Sequence, residues 1–468
     1  MRDGIRRESG SFRDPDGFIF YKDNEVYRQI NAAGKERFES FISSELYGVL
    51  AEKKLIISFE DVSGQIEGTD SAYKVIKPEK IPFISYPYEW SFSAYKDAAL
   101  LTLEIQKTAL EKGMRLRDAS VYNIQFKGGK PLFIDTLSFE KYRENEPWAA
   151  YGQFCRHFLA PLLLMAKVDE RLRMLMMDFI DGIPLDLASK LLPRGTYMNI
   201  GIVTNIHMHA ASQKKHASSD SGKMHSKPKV TKFGLLGIID SLESVIKKLK
   251  PPLQKTEWGG YYGDTNYTDA AFEEKKKIVS RFADKIREDV NTAWDLGGNT
   301  GVFSRICSGK GIYTVCFDID PAAVEENYRQ AVKTGEENIL PLTTDLSAPA
   351  PAIGWENKER KSMTERGPAD LVMALALIHH LAISNNVPLI KTAEFLSNTG
   401  RYLIIEFVPK EDSQVQRLLV TREDIFPDYT REGFEKSFGE YYDILESTPI
   451  AGTHRVVYLM KKKEETCG

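Results

Sequence analysis

Residues 295–301 read Asp-Leu-Gly-Gly-Asn-Thr-Gly, and this short stretch decides how the rest of the chain is interpreted. It follows the apolar segment Thr292–Leu296 and precedes a segment of helical character that begins near Gly301. Glycines at such a junction permit a tight turn and let a ligand come close to the backbone. A strand, a glycine-rich turn and a helix in this order predict a binding loop at the carboxyl end of a strand.

The sequence around this loop predicts a parallel α/β sheet, because strand-like segments alternate with helical ones from Lys275 onward. The predicted strands are Thr292–Leu296, Ile312–Asp318, Ile339–Thr343, Leu371–Leu375, Tyr402–Phe407, Tyr442–Ser447 and Arg455–Met460. Helices are expected between the first five strands and after the fifth, including one from Asp412 to Leu419. Only residues 448–454 separate the last two strands, so these should pair as an antiparallel hairpin.

Acidic residues follow the second and third predicted strands. Residues 317–321 read Phe-Asp-Ile-Asp-Pro, at the distance from the glycine loop where Rossmann-like sites place a carboxylate on the ribose hydroxyls. Asp318 is assigned that contact, because Asp320 and Pro321 are typical of a helix start. The third strand is followed by Thr344-Asp345-Leu346.

In this order the features resemble class I S-adenosylmethionine (SAM) dependent methyltransferases, whose glycine loop usually reads Asp-x-Gly-x-Gly-x-Gly. Asn299 stands in place of the middle glycine, and asparagine tolerates a left-handed backbone better than most residues. The resemblance implies a Rossmann-like, seven-stranded α/β domain at residues 271–463, with SAM as the cofactor and Asp345 near the adenine amino group. It places the cofactor against Asp295, Gly297, Gly298, Asn299, Gly301, Asp318, Ile319, Asp345, Leu346 and Ala374.

Two other interpretations of the glycine loop remain open. A dinucleotide such as NAD binds a similar loop, and a strand-to-helix turn of this kind can also lack a ligand. The acidic residues after the second and third strands favour SAM.

The fourth strand leads into Leu377-Ile378-His379-His380-Leu381, similar to the strand end of many small-molecule and oxygen-directed methyltransferases. Ligands of open α/β sheets bind at this edge, so His379 or His380 is a candidate base for an acceptor hydroxyl. Packing in the rim or capping of the next helix is the alternative. Glu406, at the end of the fifth strand, is the third candidate catalytic residue. It either orients the acceptor or pairs with Lys410.

No Asn-Pro-Pro-Tyr motif of amino-group and base methyltransferases is present, which lowers the expectation of methylation at adenine N6 or glutamine N5.

Residues 196–270 are predicted to be a connector with a helix at Phe233–Leu249 and a polar, mobile stretch at 211–232. His207, His209, His216 and His225 fall close together there, but their spacing matches no zinc motif, and no metal site is predicted. Residues 258–267, rich in glycine and aromatics, are either a lid over the SAM pocket or a loop packed on the neighbouring domain.

Residues 1–195 are predicted to form an α+β domain. Its expected elements are a hairpin of Phe18–Tyr21 and Val26–Ile30, a helix at Glu36–Leu50, a strand at Leu55–Phe59 and a helix at Ala94–Lys112 that Gly113 ends.

One stretch of this domain resembles the catalytic and metal-binding loops of protein kinase-like and aminoglycoside phosphotransferase-like folds. Asp118 and Asn123 have the Asp-x-x-x-x-Asn spacing, and a hydrophobic strand ending in Asp135 follows. The resemblance implies that Asp118 is the base and that Asn123 and Asp135 hold magnesium. Leu116 replaces the usual histidine or glycine, and neither a glycine-rich nucleotide loop nor a convincing third-strand lysine lies upstream. The domain is an active phosphotransferase, a kinase-like fragment reused for structure or substrate binding, or an unrelated α+β fold.

Composition narrows the class of protein. A chain of 468 residues suggests two to four domains, and a net charge of −3 argues against bulk attraction to nucleic acid. Four sparse cysteines without CxxC spacing make a disulfide scaffold or zinc ribbon unexpected. The first 13 residues lack an apolar signal segment, and the most apolar run, Phe158–Met165, is too short for a membrane span. A cytoplasmic protein without DNA binding or membrane insertion is expected.

Taken whole, the chain resembles bacterial two-part SAM-dependent methyltransferases, including those linked to nodulation host specificity. The resemblance implies methyl transfer and leaves the acceptor open. The leading hypothesis is an enzyme that methylates a small molecule or cell-surface precursor at oxygen. The alternatives are a protein or RNA methyltransferase that binds its substrate through the N-terminal domain, a SAM-binding scaffold without turnover, and a phosphotransferase with an accessory SAM domain. The sequence names neither the acceptor nor the oligomeric state.

Overall fold

The computed structural model describes residues 4–212, 229–252, 268–420 and 422–464. The chain forms two compact units. Unit 1 contains the described residues up to 252 and, from much later in the chain, Ile353–Arg360. Unit 2 contains residues 268–352 and the described residues from Lys361 onward. The described residues of the predicted connector are therefore divided between the units.

Unit 1 combines antiparallel strands with helices. Its strands are β1 (Arg6–Arg7), β2 (Gly17–Lys22), β3 (Glu25–Ile30), β4 (Phe59–Asp61), β5 (Lys74–Pro78), β6 (Met114–Leu116), β7 (Ile124–Lys127), β8 (Lys130–Phe133) and β9 (Phe139–Lys141). Its α-helices are α1 (Lys35–Ser43), α2 (Leu46–Glu52), α3 (Phe92–Glu111), α4 (Tyr151–Phe154), α5 (Ala160–Lys167), α6 (Leu175–Asp178), α7 (Leu185–Leu191), α8 (Ile200–Ile202) and α9 (Lys232–Lys248).

The strands of unit 1 form one larger sheet and two ribbons. The sheet has the order β1-β2-β3-β5-β4, and every pairing in it is antiparallel. The ribbons pair β6 with β9 and β7 with β8. The predicted hairpin is the pair β2–β3, and the predicted helix before Gly113 is α3, which the left-handed Gly113 (φ +71°) follows.

Two predictions for unit 1 were wrong in detail. The helix expected at 36–50 is interrupted by Glu45, whose φ of +62° is left-handed. Just before it, the Ser44 hydroxyl donates to the Phe41 carbonyl oxygen, a local bond that competes with helix continuation. The strand expected at 55–59 begins only at Phe59, because it is Phe59 that pairs with Pro78 of β5, whereas Ile56 makes a single bridge to Phe133.

The segment Ile353–Arg360 closes on itself and packs on the first loop of unit 1. The backbone N–H groups of Ile353 and Arg360 each donate to the other residue's carbonyl oxygen at 3.0 Å. Glu359 accepts two hydrogen bonds from Arg13, at 2.7 and 2.9 Å. Gly10 allows this approach, because a Cβ there would lie 2.4 Å from the Glu359 carbonyl oxygen.

Unit 2 is built on a single sheet. Its strands are β10 (Thr292–Leu296), β11 (Tyr313–Asp318), β12 (Ile339–Thr343), β13 (Ala369–Ala374), β14 (Gly400–Phe407), β15 (Tyr442–Pro449) and β16 (Val456–Lys462). Its α-helices are α10 (Asp269–Lys285), α11 (Ser304–Ser308), α12 (Pro321–Thr334), α13 (Leu389–Thr399), α14 (Ser413–Leu419) and α15 (Arg431–Gly439).

Among the described residues this sheet has seven strands in the order β12-β11-β10-β13-β14-β16-β15. The first five strands are parallel, and β16 is antiparallel to both of its neighbours. Counted from β10, the order is 3-2-1-4-5-7-6, which is the topology of the class I SAM-methyltransferase fold. The predicted strands are confirmed, and their ends differ from the prediction by at most two residues.

Local sequence explains two helices of unit 2. Helix α10 begins where the Thr268 hydroxyl caps it, and it turns Ile278, Val279 and Phe282 towards β10, β13 and β14. Burial of each such side chain contributes about 1.5–3 kcal/mol. Helix α12 starts as predicted, with Asp320 as the cap. None of the helices within the described ranges is long and apolar enough to cross a membrane.

Candidate functional site

The glycine loop is a left-handed turn at the carboxyl end of β10. Gly297, Asn299 and Gly301 have φ angles of +76°, +49° and +80°. The N–H groups of Gly297 and Gly298 both donate to the carbonyl oxygen of Phe317 in β11, at 2.8 and 3.0 Å. The expectation that asparagine would accept the conformation of the missing glycine is confirmed. The Asn299 side-chain oxygen also accepts the Thr300 N–H at 2.9 Å, which supports the turn.

The loop leaves no room for side chains at two of its glycines. A Cβ on Gly298 would lie 2.5 Å from the sulfur of Cys316 and 2.8 Å from a carboxylate oxygen of Asp295. A Cβ on Gly301 would lie 2.5 Å from the side-chain nitrogen of Asn327. The glycines therefore allow neighbouring side chains of the same unit to pack closely against the loop backbone.

Asp318 ends β11 directly beside this loop. Its carboxylate accepts the N–H of Asn299 at 2.7 Å and the N–H of Asp320 at 2.8 Å. Burial raises the pKa of Asp318 to about 6, although these hydrogen bonds act in the opposite direction. A buried acidic group thus joins the second strand to the glycine loop, at the position where the sequence placed the ribose contact.

Asp295 ties the loop to the helix that follows it. The carboxylate is buried and accepts a hydrogen bond from the Ser304 hydroxyl, at the start of α11, at 2.6 Å. Burial raises its pKa to about 6. Asp295 therefore holds the two ends of the turn together.

The other predicted cofactor residues lie along the same edge of the sheet. Asp345 follows β12, is exposed, and accepts both the N–H and the hydroxyl of Ser347, at 2.8 and 2.6 Å. Ile319 is 56% exposed although it is a large apolar residue, whereas Leu346 is half-buried and Ala374 is buried in β13. An exposed isoleucine beside Asp318 offers an apolar surface of the kind on which a planar base can stack.

Sequence reasoning missed two hydroxyls near Asp345. The side-chain oxygens of Thr343 and Thr344 are buried, and neither has a hydrogen-bond partner in the part of the chain that the structure describes. No pattern in the sequence singled them out, because threonine is common in buried strands.

The two histidines follow β13 as predicted. His379 is only 1% exposed, and neither of its ring nitrogens has a partner among the described residues. The His380 ring lies 4.2 Å from it, centroid to centroid. Burial lowers the pKa of His379 far below 6.5 and that of His380 to about 4, so both rings are neutral at physiological pH.

The backbone that leads to these histidines is strained. Ala376 has a φ of +52°, a left-handed conformation that costs an alanine roughly 1–2 kcal/mol. Such strain persists only where the surrounding structure enforces it, and it is concentrated at functional sites.

Glu406 is held by two buried cations. Its oxygens lie 2.6 Å from the Lys275 ammonium and 3.3 Å from the Arg455 guanidinium. Arg455 also donates two hydrogen bonds, of 2.7 and 2.9 Å, to the carboxylate of Asp412, the cap of α14. The alternative pairing of Glu406 with Lys410 is wrong, because Lys410 binds Asp424 instead.

The sequence contained one signal for this network. Lys275 lies on the apolar face of α10, at helical spacing from Ala271 and Ile278. A lysine on a buried face needs a counter-charge, but the sequence does not show which acid supplies it.

A named relative matches almost the whole chain. Nodulation protein NoeA of Rhizobium meliloti (strain 1021) is 34% identical over 465 residues, covering 98% of this chain and 96% of the relative. The chain belongs to the NoeA family of nodulation proteins. The expected resemblance to proteins linked to nodulation is thereby confirmed. No family model matches the chain.

Solved structures also resemble the chain over less than half of its length. N-methyltransferase NodS from Bradyrhizobium japonicum WM9, in complex with S-adenosyl-L-homocysteine, has 11% identity, covers 45% of this chain and 94% of its own, and has a TM-score of 0.33. Magnesium protoporphyrin IX methyltransferase (ChlM) from Synechocystis PCC 6803, with bound S-adenosyl-L-homocysteine, has 16% identity, coverage of 44% and 93%, and a TM-score of 0.31. The fold class of unit 2 follows from its own strand order.

In unit 1, the kinase-like residues come together between the two ribbons. Asp118 and Asn123 lie in the loop from β6 to β7, and Asp135 follows β8. The Asn123 amide donates to the Ser138 hydroxyl at 3.2 Å, and that hydroxyl donates to Asp135 at 2.5 Å. Burial raises the pKa of Asp118, and the nearby Asp135 adds to the effect.

The described histidines of the predicted connector pack inside unit 1. His207 contacts the hydroxyls of Ser189 and Thr196, at 2.7 and 3.0 Å, and His209 stacks on Tyr151. Within the described ranges no group of three metal-binding side chains occurs. His216, His225 and the predicted lid at 258–267 lie outside the described residues.

Proposed function

We propose that the chain is a SAM-dependent methyltransferase that methylates an oxygen of a small molecule or cell-surface precursor. The observation that carries the proposal is the left-handed glycine loop, joined to Asp318 at the end of the neighbouring strand of a 3-2-1-4-5-7-6 sheet. The relative NoeA is a nodulation protein by name, so a role in nodulation is part of the proposal.

The residues at the carboxyl ends of β10, β11 and β12 fit a SAM-binding site better than a strand-to-helix turn without a ligand. The acid of Asp318 is assigned to the ribose hydroxyls, and exposed Ile319 to one face of the adenine. The hydroxyls of Thr343 and Thr344, which have no partner within the described ranges, lie beside Asp345, which is proposed to contact the adenine amino group as in class I SAM methyltransferases. When bound, SAM supplies an electrophilic methyl group on a sulfonium.

His379 is proposed as the group that receives the acceptor's proton. A buried polar group without a partner is unfavourable, so the ring nitrogens, which have no hydrogen-bond partner among the described residues, favour a polar ligand there. Burial keeps the ring neutral, so a nitrogen can accept the hydroxyl proton as the oxygen gains the methyl group, although the same lowering of the pKa makes the ring a weaker base. The network of Lys275, Glu406 and Arg455 is proposed to fix the acceptor side of the site.

The test of the cofactor is calorimetric titration of the full chain with SAM and with S-adenosylhomocysteine. NAD and ATP are titrated separately as alternative ligands. Micromolar binding of the two SAM species alone is expected. Gly298→Ala is expected to abolish it, because the new Cβ would lie 2.5 Å from the Cys316 sulfur. Asp318→Ala should weaken it at least tenfold.

The matched control is Gly439→Ala, since nothing lies within 4 Å of a Cβ at that position of the same unit. It should bind SAM like the wild type. Failure of the wild type to bind SAM, or binding of NAD in its place, would exclude the proposed function.

A further inference from the structure

Unit 1 presents its elements in the order of a protein kinase-like fold. The antiparallel sheet has helices α1 and α2 between β3 and β4, and α3 is followed by the ribbons that bracket Asp118, Asn123 and Asp135. In that fold the second aspartate and the asparagine hold magnesium, and a lysine of the third strand contacts the phosphates of the nucleotide. The fold therefore implies a magnesium nucleotide, and the residues of this chain can be compared with that requirement.

Most of the acceptor capacity of the Asp135 carboxylate is already used within the protein. One oxygen contacts the Arg28 guanidinium at 2.5 Å and accepts the Leu137 N–H at 3.0 Å, and the other accepts the Ser138 hydroxyl at 2.5 Å. Arg28 comes from β3, and its side chain is only 11% exposed. Magnesium demands oxygen ligands in a near-octahedral shell at about 2.1 Å. Here a guanidinium supplies the positive charge beside the carboxylate instead.

One oxygen of the candidate base is also engaged by bonds within the protein. Asp118 accepts the N–H of Ser120 at 2.9 Å and the side-chain amide of Gln153 at 2.7 Å through the same oxygen. These bonds hold the carboxylate in a loop conformation, and they reduce the lone pairs that remain for a substrate hydroxyl.

The loop between β1 and β2 carries the wrong charge for phosphates. In a kinase this loop covers the nucleotide with glycine N–H groups. Here it ends in Asp16, which is fully buried and paired with Arg37 of α1 and, at 2.9 Å, with Arg117. Arg117 directly precedes Asp118. The Asp16 carboxylate therefore binds the loop between β1 and β2 to the loop between β6 and β7, which is the catalytic-loop equivalent. The arginines that could bind phosphates are already neutralised by acids of the same unit.

The segment Ile353–Arg360 closes the same loop from outside. Glu359 holds Arg13, and the Arg360 guanidinium lies over the Tyr122 ring at 4.3 Å. Tyr122 lies between Asp118 and Asn123. The loop and the catalytic-loop equivalent therefore both contact this one segment.

We propose that unit 1 is a kinase-like module in which Arg28 replaces the metal beside Asp135 and Asp16 replaces the phosphates, so that it neither binds a magnesium nucleotide nor transfers phosphate. This disagreement with the fold's usual ligand removes phosphotransfer from the possible activities of the chain. It leaves unit 1 a structural or substrate-binding role.

In the test, the full chain is titrated with magnesium ATP and with manganese ADP. Binding is measured by calorimetry and by the change in the midpoint of thermal unfolding. No heat of binding and no shift of the midpoint are expected at millimolar nucleotide. Titration of the same preparation with S-adenosylhomocysteine reports on unit 2, so a failure of the proposed methyltransferase function is distinguished from a failure here. Saturable nucleotide binding that Asp135→Asn abolishes would overturn the proposal.

A second variant tests the role of Arg28 directly. Arg28→Ala should lower the unfolding midpoint, and millimolar manganese should then restore part of it in the variant but not change the wild type. Arg143→Ala removes an arginine of the same unit whose side chain is 76% exposed, and it should behave like the wild type. Stabilisation of the wild type by manganese alone would show that Asp135 accepts a metal with Arg28 present, which contradicts the proposal.

Discussion

Asn299 and His379 differ in how much of their structural role could be predicted from the sequence. The left-handed backbone of Asn299 follows from residue type and position in a glycine loop, so the sequence was sufficient. The burial of His379, and its lack of a hydrogen-bond partner in the part of the chain that the structure describes, depend on packing by distant segments. The identity of a candidate base could therefore be predicted, but its protonation state could not.

Burial of His379 should make the stability of unit 2 depend on pH. Its pKa is lowered in the folded chain, so below about pH 6.5 the unfolded chain binds a proton that the folded chain does not. The contribution of His379 to the free energy of unfolding should therefore fall as the pH decreases from 7 to 5, by at most about 1.4 kcal/mol per pH unit. His379→Asn should make the dependence shallower in urea unfolding at several pH values.

The comparison with the wild type isolates His379, because both proteins keep the raised pKa values of Asp295 and Asp318, which act with the opposite sign. His454→Asn, at an exposed position before β16, is the control and should keep the wild-type slope. An equal slope for His379→Asn and the wild type would mean that the ring is not buried as described.

At the scale of elements, the strands were predictable and the contacts between them were not. Apolar runs bounded by turn residues placed each strand of unit 2 to within two residues. The ion-pair network that joins α10, β14 and α14 was missed, because Glu406 and Lys275 are separated by 131 residues and Glu406 and Arg455 by 49. Local periodicity carries no information on such partners.

The network predicts a large effect for a small substitution. Glu406→Gln keeps the shape of the side chain but leaves Lys275 and Arg455 buried with less counter-charge. Breaking a buried ion pair in this way costs about 3–5 kcal/mol. The free energy of unfolding of unit 2, from urea titration, should fall by that amount.

The control is Glu394→Gln, which removes one partner of an ion pair with Lys391 on the surface of α13. Exposed pairs contribute roughly 0–1 kcal/mol, so this variant should unfold nearly as the wild type does. A similarly small effect for Glu406→Gln would argue against the network.

At the scale of the whole molecule, the two units differ in how much of their fold could be predicted from the sequence. The α/β topology of unit 2 was predicted from its alternating elements. The helix expected between the third and fourth strands is wrong, because the described residues between β12 and β13 form no α-helix and include Ile353–Arg360 of unit 1. For unit 1 the sequence left three interpretations, because only one short stretch resembled a known fold. The arginines that pair with Asp16 and Asp135 come from separate segments.

The proposed cofactor should stabilise one unit selectively. S-adenosylhomocysteine at a hundred times its dissociation constant should add about 2.7 kcal/mol to the free energy of unfolding of unit 2. In scanning calorimetry of the full chain, the transition temperature of unit 2 should therefore rise. Gly298→Ala should remove the shift without removing the transition. A shift that survives Gly298→Ala would place the ligand elsewhere.

The membership of Ile353–Arg360 in unit 1 has a consequence for the gene. Because eight codons of that unit lie inside the coding sequence of the other, a recombination event with a single breakpoint cannot exchange either unit whole. Any chimera that replaces unit 2 with a foreign counterpart has to keep this insert at the corresponding position. The two units should therefore be inherited together.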